Sequence, residues 1–120
     1  MSTAKHQQAG PARTRQTALP GIVFEPVDPV IHQPARLSIL SVLAATESMT
    51  FCEVKGLTGL TDGNLSIHVR NLETHGLVKV DKSFVDRRPQ TRYALTPKGR
   101  KAFAQYLEQL EEFLRRHKGR

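Results

Sequence analysis

After Gly76 the apolar residues change their period, and no other feature of the sequence narrows the choice of fold as much. Before that glycine, Leu65, Val69 and Leu72 recur at i, i+4 and i+7, one narrow stripe along a helix. After it come Leu77, Val78 and Val80, then Phe84 and Val85, all residues that favour strands. The run Asp86-Arg87-Arg88-Pro89-Gln90 reads as a turn, and Thr91 to Thr96 alternates polar and apolar as a half-buried strand does. These segments predict a β-hairpin with a basic tip. Thr96-Pro97 then opens a last helix, Thr as N-cap and Pro at the first position, running to about His117.

Upstream, Asp28-Pro29 carries a helix-start signal, with Pro34 marking a later start or a bend. Leu37, Ile39, Leu40, Val42, Leu43 and Ala44 cover more than half of the next helix, so most of it is expected to be buried. Thr50-Phe51 reads as a short extended piece. Phe51, Val54 and Leu57 mark a short helix, Thr58-Gly59-Leu60 a tight turn, and Thr61 the cap of a third helix reaching about His75. The expected fold class is mainly α with a small β-hairpin, one domain over residues 28–118. Residues 1–27, rich in Ala, Gln, Thr, Gly and Pro with Arg13 and Arg15, read as a flexible arm.

Charge says which partner such a domain would meet. The chain carries 18 Lys and Arg against 11 Asp and Glu, a net +7. Between Lys79 and Lys101 stand eight bases (Lys79, Lys82, Arg87, Arg88, Arg92, Lys98, Arg100, Lys101) and two acids (Asp81, Asp86), so +6 of that charge falls in and beside the hairpin. A concentrated positive patch favours a polyanion. Arg87 and Arg88 sit in the turn, where an arginine can reach a phosphate backbone or a minor groove.

Two helices joined by a tight Gly-containing turn form a helix-turn-helix, whose second helix can enter a major groove. With Leu65, Val69 and Leu72 turned inward, the opposite side of the third helix carries Gly63, Asn64, Ile67, Arg70, Asn71 and Thr74, with Ser66 at its edge. A solvated face normally carries Glu and Lys. Asn can instead present a donor and an acceptor to adenine, and an apolar side chain can meet a thymine methyl. Asn64, Ser66, Ile67, Arg70 and Asn71 are therefore the candidate base-reading residues. Thr61, Lys82, Arg87, Arg88 and Arg92 are the candidate backbone and wing contacts. Asp62 and Gly63 keep the helix start small, which suits a nearby phosphate.

The segments Pro34-Ala35-Arg36-Leu37-Ser38-Ile39-Leu40, Leu60-Thr61-Asp62-Gly63-Asn64-Leu65-Ser66-Ile67-His68, Asn71-Leu72-Glu73-Thr74-His75-Gly76-Leu77-Val78 and Arg92-Tyr93-Ala94-Leu95-Thr96-Pro97-Lys98-Gly99 resemble the winged-helix transcriptional regulators. The resemblance is closest to a short subgroup related to the multiple-antibiotic-resistance regulator (MarR) class. It implies a dimeric winged helix with the third helix in the major groove and the hairpin as wing. The chain is shorter than a typical member and lacks the extra helices that usually frame a ligand pocket, so it names no small-molecule effector.

The last helix carries Phe103, Tyr106, Leu110 and Phe113 at spacings of 3, 4 and 3, widened by Leu107 and Leu114. Such spacing suits a homodimer seam, which would set two reading helices on a palindromic double-stranded DNA. The same face can also pack on its own domain, and the stripe is wide enough for both.

Other chemistry finds little support. Cys52 stands alone, and His6, His32, His68, His75 and His117 lack metal-ligand spacing, so no metal or cofactor is expected. No phosphate-binding glycine loop, nucleophile motif or paired acid is evident, and the expectation is a non-enzyme. Cys52 itself reads as a small buried hydrophobe, or as a thiol switch near a helix start. A protein-binding winged helix would want an acidic or mixed outward face. No apolar run is long enough to span a membrane, and the N-terminus lacks a secretory core, which together suggest a cytoplasmic protein.

Overall fold

The computed structural model describes residues 28–118, and the expected N-terminal arm lies outside them. Four helices and three strands follow in the order α1 (Pro34–Ala44), β1 (Met49–Thr50), α2 (Phe51–Thr58), α3 (Asp62–Thr74), β2 (Val78–Val85), β3 (Arg88–Leu95) and α4 (Pro97–Lys118). The strands form one antiparallel sheet in the order β1-β3-β2. This is the winged-helix fold that the resemblance implies, and its β2-β3 hairpin is the one that the change of period predicts.

Each helix begins on a side-chain cap. The Gln33 side chain accepts from the Arg36 amide. Thr50 and Glu53 form a reciprocal capping box at α2. The Thr61 hydroxyl accepts from the Asn64 amide at α3. At α4, Thr96 Oγ1 accepts from the Gly99 amide and donates to the Gly76 carbonyl, tying the last helix to the loop after α3.

The core draws on every helix and on the long strands: Ile31, Ile39, Leu40, Leu43, Val54, Leu65, Val69, Leu72, Leu77, Val78, Tyr93, Leu95, Phe103 and Tyr106 are buried. Gly99 is needed for the closest approach in it. A Cβ there would fall 2.0 Å from the Leu77 carbonyl oxygen, so only glycine lets α4 lie against the chain leaving α3.

The first helix starts at Pro34, the later of the two starts that the sequence offers; Asp28 closes a turn, its Oδ1 accepting from the Val30 amide and its carbonyl from Ile31 and His32. Three expectations change. The extended piece lies at Met49–Thr50 and pairs with Tyr93 and Arg92, making the hairpin a three-stranded sheet. The basic turn contracts to Asp86 and Arg87, both in left-handed backbone (φ 52° and 68°), and Arg88 to Gln90 join β3. That is the two-residue hairpin geometry whose twist matches the strands. Leu57 is 63% exposed, so Val54 is the buried anchor of α2.

Candidate nucleic-acid interface

The buried stripe of α3 is Leu65, Val69 and Leu72, and it fixes which way the helix faces. Asn64, Ser66, Ile67 and Arg70 are consequently exposed, Ile67 at 66%. Asn71 departs from the expected face. It is half-buried, and its amide oxygen points inward with no hydrogen-bond partner, so it belongs to the flank of the helix. Thr61 spends its acceptor on the Asn64 amide, so the first turn of α3 is already capped. Across the turn, Lys55 Nζ lies 2.7 Å from Asp62 Oδ1 and links α2 to α3. That hydrogen bond raises the Lys55 pKa above its ordinary value.

Strand alternation aims the wing. Val78, Val80 and Lys82 pair across the sheet with Leu95, Tyr93 and Thr91. Val80, Lys82, Thr91 and Tyr93 from this side of the hairpin, with Ser66, Val69, Arg70 and Glu73 of α3, line a cleft of about 510 Å³. Candidate residues from α3 (Ser66, Arg70) and from the hairpin (Lys82) thus share one concave surface. Phe51 meets Tyr93 edge-on at its floor, 6.3 Å between ring centres, and burial raises the Tyr93 pKa.

The basic run divides into two sets. Arg87 and Arg88 are exposed at the wing tip and Lys82 stands on the strand. Among the described residues no acid pairs with Arg70, Lys82, Arg87 or Arg88. Arg92, expected on the wing, is half-buried and turned to the body: its Nε donates to Ser48 Oγ (3.0 Å) and its guanidinium to the Ser48 carbonyl (3.4 Å). Arg100 does similar work, donating to the carbonyls of Ala44 and Thr46 at the end of α1. These two arginines brace the loop from α1 to β1 by donating to the carbonyls of Ala44, Thr46 and Ser48. Their spacing in the sequence does not separate them from the outward pair, because direction depends on register.

The expected dimer stripe also divides. Phe103 and Tyr106 are buried in their own domain, and Tyr106 Oη bonds His32 Nδ1 at 2.8 Å. They are core residues, and the seam assignment does not hold for them. Leu110 packs partly on that core, and Phe113 is half-buried against His117. Leu107 and Leu114, one above the other at i and i+7, are 45% and 46% exposed.

Cys52 is exposed, contrary to the expected buried hydrophobe, because α2 turns Val54 inward in its place. Among the described residues no group of three His, Cys, Asp or Glu could hold a metal ion, and no helix is long and apolar enough to cross a membrane.

This architecture has clear relatives. Residues 35–114 match the model of the winged helix DNA-binding domain family. An uncharacterised protein of Methanocaldococcus jannaschii is 36% identical over 81 residues, 68% of this chain and 88% of that one. The structure of a transcriptional regulator homologue from Pyrococcus horikoshii aligns with a TM-score of 0.68 at 33% identity, covering 71% of this chain and 84% of the other. The transcriptional repressor CouR, bound to a 23-mer DNA duplex, aligns with a TM-score of 0.61 at 30% identity over 69% of this chain and 58% of the repressor. A MarR-family regulator of Silicibacter pomeroyi has the same fold, with a TM-score of 0.58 at 22% identity. With a capped α3 beside an arginine-tipped hairpin, the chain belongs to the winged-helix DNA-binding domain family.

Proposed function

We propose that the protein reads double-stranded DNA as a homodimer, α3 lying in the major groove and the wing following the backbone into the next minor groove. The observation that carries this reading is the set of cations without an acid partner among the described residues, Arg70, Lys82, Arg87 and Arg88, beside an α3 face of Asn64, Ser66 and Ile67. Arg87 adds weight. Its left-handed backbone is usual for Gly or Asn and costs a long side chain about 1 kcal/mol or more. A strained arginine at an exposed tip is given a role by contact with a phosphate or a minor groove. CouR in its duplex complex offers a precedent at 30% identity.

Within this reading, Asn64, Ser66, Ile67 and Arg70 meet base edges, while Thr61, Lys82, Arg87 and Arg88 hold phosphates. Leu107, Leu110, Phe113 and Leu114 supply the seam between protomers. The target is a palindrome with half-sites about one DNA turn apart. The protein acts as a regulator and has no catalytic role.

The test is salt dependence. Neutralising roughly four to five phosphates per protomer gives a dimer a slope of log K against log[salt] of about −7 to −9. Arg87→Ala with Arg88→Ala should weaken binding to every duplex alike and flatten that slope by about one to two. A wild-type slope near zero contradicts the proposal.

A further inference from the structure

The hairpin carries a residue that charge and helix reading leave unused. Phe84 is 75% exposed, the most exposed large apolar side chain among the described residues. Its position follows from register. Val78, Val80, Lys82 and Phe84 alternate onto one side of β2, facing Leu95, Tyr93, Thr91 and Pro89 on β3. Burial fades along this row: Val78 is buried, Val80 half-buried, Lys82 and Phe84 exposed. Val80, Lys82 and Thr91 line the cleft shared with Ser66 and Arg70 of α3. Phe84 and its partner Pro89 therefore continue the α3-facing side of the wing beyond the body of the domain.

We infer that Phe84, backed by Pro89, is an apolar wedge that enters the minor groove beside the α3 site and opens a base step there. The inference rests on the DNA-binding reading above. Charge complementarity selects the occupant, since Lys82 precedes Phe84 on the same side of β2, Arg87 stands in the turn and Arg88 adjoins Pro89, and among the described residues no acid is bonded to any of them. Reach agrees. Four residues of strand carry Phe84 about 13 Å past Val80. The minor groove next to an occupied major groove lies about half of a 34–36 Å turn away. The residue types agree as well, for Phe and Pro are both among the side chains that part stacked bases from the minor groove and kink the duplex. The tight turn at Asp86 and Arg87 holds the pair in place at the tip. A wedge of this kind gives specificity without base hydrogen bonds: steps that unstack easily, TA and CA/TG, are favoured under it.

The experiment uses the full chain and duplexes selected from a random pool. The adenine analogue 2-aminopurine is placed at the flanking step, and dyes at the two ends report bending. Wild type should brighten the 2-aminopurine, bend the duplex and bind a TA flank about tenfold more tightly than a GC flank. Phe84→Ser should lose the brightening and the flank preference, with affinity for the TA flank down about tenfold, while keeping its melting temperature and the base preferences set by α3. Phe84→Leu should restore most of the signal, because the wedge needs bulk without polarity. Brightening and bending unchanged in Phe84→Ser would overturn the wedge and leave the DNA-binding reading standing. So would a Phe84→Ser defect confined to self-association, which would make the patch a contact between copies. Failure of wild type to bind any duplex would overturn the DNA-binding reading, and the wedge with it.

Discussion

α3 and α4 each bury one apolar stripe, yet their exposed sides differ in what they do with charge. On α4, Arg115 pairs with Glu111 and Glu112, and Arg116 with Glu112. The Arg115 hydrogen bond holds the Glu112 carboxyl below its usual pKa. Such exposed pairs add little stability, but they offset two of the three acids, Glu111 and Glu112 beside Glu108, that stand between its exposed leucines. On α3 the exposed side has Asn64, Ser66, Ile67 and Arg70 with no such pairing. One helix satisfies its own charges and offers apolar surface; the other keeps polar groups and a cation available. A seam between identical chains and a face for a polyanion need those opposite properties.

Breaking the α4 side should have the largest effect on binding. Leu107→Glu with Leu114→Glu places charges where the seam is proposed, and burying an unpaired charge costs several kcal/mol. Both residues are about half exposed, so the domain should still fold. Sedimentation should show a monomer, and palindrome affinity should fall by about 100-fold or more with the loss of the second half-site. A dimer unchanged by both substitutions would assign the helix to its own chain alone.

Gly99→Ala strikes the opposite, packed side of α4. The new methyl meets a backbone oxygen that has no room to move, so about 3 kcal/mol of stability should go, read as a lower denaturant midpoint. A loss under about 1 kcal/mol would mean that α4 can shift away from Leu77.

Asn64→Ala and Ile67→Ala probe the exposed side of α3. Each should leave stability within about 0.5 kcal/mol. Each should cost about 1–3 kcal/mol on the preferred duplex and little on a scrambled one. Equal weakening on both duplexes would move base reading to Ser66 and Arg70.

The smallest effect sits on the flank of α3. Burial, and then the nearby Arg36, hold the His68 pKa below its ordinary 6.5. The folded state thus binds a proton less readily than the unfolded chain. The stability that follows is present above that ordinary value and is lost as pH falls through the lowered one. Arg36 Nε donates to His68 Nδ1 at 3.4 Å only while the ring is neutral there. His68→Gln should flatten the stability curve on the acid side of neutrality in thermal melts from pH 7 to 5, and an unchanged slope would remove His68 from the account.

The order of elements, the buried stripe of α3 and the caps Thr61 and Thr96 were all determined by the sequence alone. Each depends on neighbours within a few residues: the period of apolar side chains, a hydroxyl three positions before an amide, a glycine after the last turn. The direction of a side chain relative to the rest of the molecule is a different quantity, and the tertiary structure decided it. Arg92 and Arg100 look like Arg87 and Arg88 in the sequence, yet the first two turn to carbonyls of the loop after α1. Phe103 and Tyr106 belong to the same stripe as Leu107 and Leu114, yet the domain body buries the first two, meets Leu110 in part and leaves Leu107 and Leu114 about half exposed. Asn71 falls within the outward arc by angle, but its amide oxygen is buried. Phe84 reads as one more strand residue until the register with Pro89 carries it past the edge of the core. Periodicity is set by the local backbone, whereas burial depends on where another segment ends, and that is fixed only when the segments pack.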